Sequence, residues 1–153
     1  MAITTGVDSF GTQDTVSAGG GTSAVADGNF SATGDTIEWT NDDNARKASC
    51  LLIFQYPSGS INSDGVHLYM TLRNIDGTGD EPETDTNFES HYVGTFDTDA
   101  GLAATTDQAL TLGHDIDLPN QYASQVYKPF IKADCGVTLT AGWELKITPK
   151  GID

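Results

Sequence analysis

Positive charge is what this sequence has least of: seven Lys and Arg stand against 22 Asp and Glu, a net charge of -15 over 153 residues. Binding to nucleic acid draws on Lys and Arg set against phosphates, so nucleic acid is not expected as a direct partner. An anionic membrane surface is disfavoured for the same reason. No apolar run approaches the roughly 20 residues that a membrane-crossing helix needs. Met1-Ala2-Ile3-Thr4-Thr5 has neither the basic nor the apolar region of a secretory signal, so folding in a cytoplasm is expected. Cysteine is limited to Cys50 and Cys135, too few to hold zinc unaided. Each lies beside an apolar strand pattern. Buried, reduced thiols are the main expectation and a disulfide between them is the alternative.

Catalytic motifs are missing as well. There is no Gly-x-Ser-x-Gly, phosphate loop, dinucleotide fingerprint or Cys-x-x-Cys pair, and His67, His91 and His114 have no Ser or Cys motif beside them. With 22 acids, carboxylate pairs of the kind used in glycoside hydrolysis are unavoidable and therefore uninformative. A non-enzymatic role is expected. Helical periodicity is absent, hydrophobic residues make up 37%, and Gly reaches 17, a composition that suits a β-protein with many turns.

Strand rhythm is what the chain does have. Trp143-Glu144-Leu145-Lys146-Ile147-Thr148 alternates apolar and polar residues, follows Ala141-Gly142 and stops at Pro149, as a half-buried strand entered by a tight turn would. Thr36-Ile37-Glu38-Trp39-Thr40 alternates in the same way. Cys50 to Tyr56 is a continuous apolar run that reads as a central strand buried on both faces. In Val66 to Arg73 the even-numbered residues Val66, Leu68, Met70 and Leu72 are expected inside, with His67, Tyr69, Thr71 and Arg73 outside. The Asn62-Ser63-Asp64-Gly65 turn predicts a hairpin between these last two strands, and a second hairpin is predicted between Gly136–Thr140 and Trp143–Thr148. Further strands are expected at His91–Phe96 and at Ser124–Lys132, where the internal Pro129 requires an edge or a bulge.

Seven or eight short strands between residues 35 and 149 predict an all-β fold, an antiparallel β-sandwich or jelly-roll-like barrel. Ile37, Trp39, Leu52, Phe54, Leu68, Met70, Phe96, Trp143, Leu145 and Ile147 are its expected core. Residues 1–34 differ in kind. Gly19-Gly20-Gly21, Ser, Thr and Asp separate single apolar residues, too few for a core. The segment reads either as a flexible tail or as an extended arm that docks on a neighbouring subunit, leaving residues 35–153 as the sandwich domain.

Two surface features could carry interactions. Asn74 to Glu81 gathers oxygen ligands on a Gly-containing loop, which makes Asp76, Asp80 and Glu81 calcium candidates, although the spacing is not that of an EF-hand. Otherwise the loop is a solvated acidic loop and the protein has no cofactor. The basic residues fall in two stretches, Arg46, Lys47 and Arg73, then Lys128, Lys132, Lys146 and Lys150.

The stretch Lys132 to Lys150, with Gly136-Val137-Thr138-Leu139 followed by Gly142-Trp143-Glu144-Leu145-Lys146-Ile147-Thr148-Pro149, resembles the C-terminal end of small virion structural proteins of tailed bacteriophages. Tyr92-Val93-Gly94-Thr95-Phe96 and Leu118-Pro119 lie in comparable order. The resemblance covers about the last third of the chain. It implies a capsid decoration (cement) protein on the outer surface of a virion, synthesised in the host cytoplasm. Such a protein would be a homo-oligomer, typically a trimer, bound to the major capsid protein. Ile3, Val7 and Phe10 on the arm, and Lys128, Lys132, Lys146 and Lys150, are its expected contact residues. A tail- or fibre-associated carbohydrate-binding module is the alternative, with Trp39, Trp143 and Tyr69 as a stacking platform.

Overall fold

The computed structural model describes residues 8–18, 22–42, 45–73, 91–118 and 125–152. Two antiparallel sheets face one another. The first has the order β1 (Asp8–Phe10), β10 (Glu144–Ile152), β4 (Lys47–Phe54) and β7 (Gln108–Thr111), with β2 (Asp14–Thr15) also against β10 and β8 (Ile116–Asp117) also against β4. The second has the order β3 (Trp39–Thr40), β9 (Val126–Ala133), β5 (Val66–Arg73) and β6 (Tyr92–Phe96). The protein is an all-β sandwich, as the strand rhythm predicts.

Alternation sets the inner faces. Ala48, Cys50, Leu52 and Phe54 of β4 and Leu145 and Ile147 of β10 point into the sandwich, joined by Trp143 just ahead of β10. Val66, Leu68 and Met70 of β5, Phe96 of β6 and Tyr127, Ile131 and Ala133 of β9 meet them from the other sheet. Of the ten residues expected in the core, nine are buried. Ile37 is the exception at 49% exposed, because the chain reaches the sheet only at Trp39 and Ile37 lies ahead of it.

Both expected hairpins are absent, for one reason. An antiparallel strand has two hydrogen-bonding edges, and here both are taken by other partners. β4 lies between β10 and β7–β8, whereas β5 lies in the opposite sheet between β9 and β6, so the 57–65 connection crosses from sheet to sheet. β10 has β4 on one edge and β1 and β2 on the other. Leu139 therefore pairs outside the named strands with Val25, through hydrogen bonds in both directions of 2.9 and 3.1 Å.

The outward face of β5 is also not solvent. Tyr69, Thr71 and Arg73 are buried, and Phe130 on β9 joins Tyr69 in a second small apolar cluster. Phe30 packs edge-on against Tyr69 at 5.1 Å, bringing the N-terminal segment over this face. Leu72, expected inside, is 39% exposed at the end of its strand. Pro129 sits where its missing N–H is harmless. Its carbonyl accepts from Thr36 Oγ1 at 2.6 Å, on the edge away from β5, and the two-residue β3 has already ended at Tyr127.

The described part of residues 1–34 lies along the sandwich and shares its core. Val16 and Val25 are each 1% exposed. Trp143 Nε1 donates to the Ser23 carbonyl at 3.0 Å, and Thr22 Oγ1 donates to the Trp143 carbonyl at 3.0 Å. Asp35, buried, accepts from the Ser23 and Ala32 backbone N–H groups at 2.7 and 3.1 Å, which compensates a carboxylate taken out of water. A segment too poor in apolar residues to build a core is held here by backbone bonds and a few buried anchors.

Candidate assembly surface

The sequence-predicted contact residues fall into three groups. Ile3 and Val7 lie outside the described residues, as do Asp76, Asp80 and Glu81. Phe10 is 63% exposed at the end of β1, and the Lys150 ammonium sits 5.5 Å from its ring centroid. Lys150 also donates to Asp115 Oδ2 at 2.9 Å, so one cation ties the rim of the six-stranded sheet to the 112–115 turn. Lys146 pairs with Glu144 at 3.0 Å on the outer face of the same strand, and Lys132 lies 5.4 Å from the Phe30 ring.

Lys128 behaves differently. It is buried, and its ammonium donates to the Thr36 carbonyl at 2.5 Å. Burial pushes its pKa below the ordinary lysine range, Arg73 adds to that by repulsion, and Glu38 opposes it. A cation in this position holds the N-terminal segment against β9. Its position on the outward register of a strand gave no sign of this, because the segment that covers it is distant in sequence.

The three aromatic residues expected as a sugar-stacking platform are buried. Trp39, Tyr69 and Trp143 are 4%, 3% and 2% exposed, and both indole N–H groups are engaged inside the molecule, with Asp14 Oδ2 at 2.9 Å and the Ser23 carbonyl at 3.0 Å. A cleft of about 300 Å³ lies between residues 53–55, Asp107 and residues 140–144. Its acids are already used: Asp107 accepts from Gln55 Nε2 at 2.8 Å, and Glu144 pairs with Lys146. Among the described residues, no three His, Cys, Asp or Glu side chains converge as a metal site.

One polar network was not foreseen. His67 Nδ1 is 2.8 Å from Thr95 Oγ1, which is 2.8 Å from the Tyr92 hydroxyl, and His67 Nε2 is 3.5 Å from Asp134 Oδ2. Its members come from β5, β6 and the turn after β9. Tyr92 and Thr95 are three residues apart on β6, and cross-strand packing brings His67 and Asp134 to them from distant parts of the sequence.

Both cysteines are free and buried. Burial, with a smaller contribution from Asp115, pushes the Cys50 thiol up to about 12, and burial also raises Cys135. Burial thus disfavours the thiolate form of both. Among the described residues, the exposed large apolar side chains are Phe10, Ile37, Leu72 and Tyr92.

Fold and surface together define a β-sandwich whose N- and C-terminal strands form one sheet. No protein-family model matches the chain, and no curated protein is significantly similar to it. A solved structure titled "Structure of infectious bursal disease virus Gx strain" superposes with a TM-score of 0.47 and 17% identity, over 95% of this chain and 32% of that one. This chain thus spans about a third of that neighbour's length. A likeness of that size carries no argument about function.

Proposed function

We propose that this protein is a non-enzymatic structural component of a virion, a decoration protein that binds the outside of a tailed-phage capsid as an oligomer. The observation that carries this reading is the joining of two features within one sheet. The C-terminal stretch that resembles phage virion proteins becomes β10, and β1 and β2 of the N-terminal segment lie along its otherwise open edge. Phe10 projects from that edge with Lys150 beside it. An exposed ring flanked by a cation suits a protein partner that carries apolar and acidic groups, as the major capsid protein would. Several such contacts, each weak, reinforce one another when one oligomer bridges neighbouring capsid subunits, because the later contacts form at high effective concentration. The burial of Trp39, Tyr69 and Trp143 weighs against the carbohydrate-binding alternative.

Co-sedimentation with purified capsids of the virus that encodes the chain tests this reading, alongside light-scattering mass of the protein alone. Binding to assembled capsids but not to free capsid subunits is expected, and Phe10→Ala with Lys150→Ala should weaken it by one or more orders of magnitude. A protein that ignores capsids would overturn the reading.

A further inference from the structure

We infer that residues 8–18 exchange between copies of this chain, each copy laying β1 and β2 along β10 of its neighbour. The inference deepens the oligomeric reading above and rests on it. Its basis is the way this segment is held.

In the monomer, residues 8–18 attach to the sandwich mainly through backbone. Asp8, Ser9 and Phe10 pair with Ile152, Gly151 and Lys150, and Asp14 and Thr15 pair with Ile147 and Lys146. Between and beyond these pairs, Gly11 N donates to Pro149 O at 2.9 Å, Val16 N to Leu145 O at 2.8 Å and Ala18 N to Asp35 O at 2.7 Å. Residues 12–15 are exposed, and Val16 is the large apolar side chain that the described segment buries. Asp14 adds one bond, accepting from Trp39 Nε1. Ser17 is buried too and bridges Thr36, Ile37 N donates to Val16 O at 2.8 Å, and Gln13 Nε2 donates to Thr148 Oγ1 at 3.3 Å. A strand held by ladder bonds and few buried side chains detaches at the cost of Val16 alone among the large core residues, and any copy of the same strand satisfies the same edge equally well.

The sequence places Gly19-Gly20-Gly21 between this strand and the next fixed point. That point is Thr22, whose carbonyl and hydroxyl both accept from Gly142 N at 3.0 and 3.1 Å. The identical contacts form in the closed and exchanged arrangements, so the choice between them falls to connector length and to whatever new contacts the neighbours make. The connector also sets geometry. The four steps from 18 to 22 span at most roughly 14 Å. Exchange therefore requires neighbouring copies to bring their residues 143–145 together around the symmetry axis.

Cross-strand cysteines read the outcome directly. Thr15 and Lys146 are paired across β2 and β10, with Thr15 exposed and Lys146 half-buried. Chains carrying T15C alone and K146C alone are co-refolded, oxidised and run on a non-reducing gel, with the parent chain as control because Cys50 and Cys135 are buried. The expected result is a covalent dimer between the two kinds of chain, in a sample whose light-scattering mass is oligomeric. An oligomer that gives no inter-chain bond, while the T15C/K146C double variant closes within one chain, overturns the exchange and leaves the oligomeric reading intact. A monomeric mass with only same-chain bonds overturns both. A connector series provides a second readout: deleting Gly20 and Gly21 should raise the exchanged fraction, and inserting six Gly and Ser residues should shift the mass towards monomer. A mass unchanged across the series also counts against exchange.

Discussion

At the scale of single residues, the sandwich makes unequal demands on similar positions. Gly65 and Gly142 both have positive φ, +91° and +94°. A Cβ at Gly65 would fall 2.5 Å from Thr95 Cγ2 and 2.8 Å from the Phe96 carbonyl oxygen, whereas one at Gly142 meets nothing within 4 Å. Gly142→Ala should cost about 1–2 kcal/mol, the left-handed penalty alone. Gly65→Ala adds a clash with backbone and should cost at least about 3 kcal/mol. Urea melts of the two variants side by side decide this, and equal losses would contradict the packing. Trp143→Ala should cost about 3–5 kcal/mol, since the ring is 2% exposed.

Cys50 and Lys128 give stability opposite pH dependences. The Cys50 thiol stays neutral in the folded state up to about 12 but ionises near its ordinary value of 9.0 when unfolded. The folded state then holds more protons, so stability is lost as pH rises from about 9 towards 12, by on the order of 4 kcal/mol at the top of that window. Lys128 has a folded value below the ordinary 10.5. There the unfolded state holds more protons, and stability rises with pH through the window just below 10.5. Denaturant midpoints should therefore show an alkaline fall that Cys50→Ala makes smaller, with buried Cys135 and Tyr127 contributing in the same direction, and that Lys128→Met makes steeper.

At the scale of elements, edge occupancy decides more than strand propensity does. β4, β5, β9 and β10 all form, but three have other bounds: β4 starts at Lys47 and leaves Leu51 and Ile53 half-buried on the face expected to be buried, β9 runs from Val126 to Ala133, and β10 continues through Pro149, expected as its stop, to Ile152. The Pro149 carbonyl accepts from Gly11 N between β1 and β2, where no ladder bond needs the missing N–H. Asn41 closes its turn in the way an Asn-Asp cluster implies, with its side chain bonded to both the N–H and the C=O of Ala45. Apart from β5 with β6, pairing among the named strands did not follow from neighbourhood in sequence, because the strand edges went to distant partners. The N-terminal segment shows the same effect. Its thin apolar content predicted no core of its own, yet Val16 and Val25 enter the core of the sandwich. Removing residues 1–18 strips Val16, worth about 1.5–3 kcal/mol in burial alone, and exposes the free edge of β10. A lowered urea midpoint together with aggregation, followed by light scattering, is the expected signature.

At the scale of the whole molecule, the net charge of -15 governs behaviour in solution. With seven basic residues, several of them held by internal partners, most acids among the described residues are exposed without a cation to neutralise them. Repulsion of this kind destabilises the compact state and keeps copies apart. Raising NaCl from about 20 mM to about 500 mM shortens the screening length from roughly 20 Å to roughly 4 Å, so the urea midpoint and the oligomeric fraction should both rise. A midpoint that falls with salt would mean that the acids are engaged in favourable pairs.

The amino-acid sequence by itself determined the all-β class, the principal strands, most of the inner face and the acidic surface, because alternation and composition are local properties that each strand carries alone. Tertiary structure decided which edges meet and which residues the N-terminal segment covers. It turned Lys128 inward, buried Tyr69 and Arg73 on a face that reads as outward, left Ile37 exposed and assembled the His67, Thr95, Tyr92 and Asp134 network. The physical reason is range. A strand's periodicity is set within a few residues, whereas what lies over its second face is set by segments up to about a hundred residues away, as residues 29–36 are from β9.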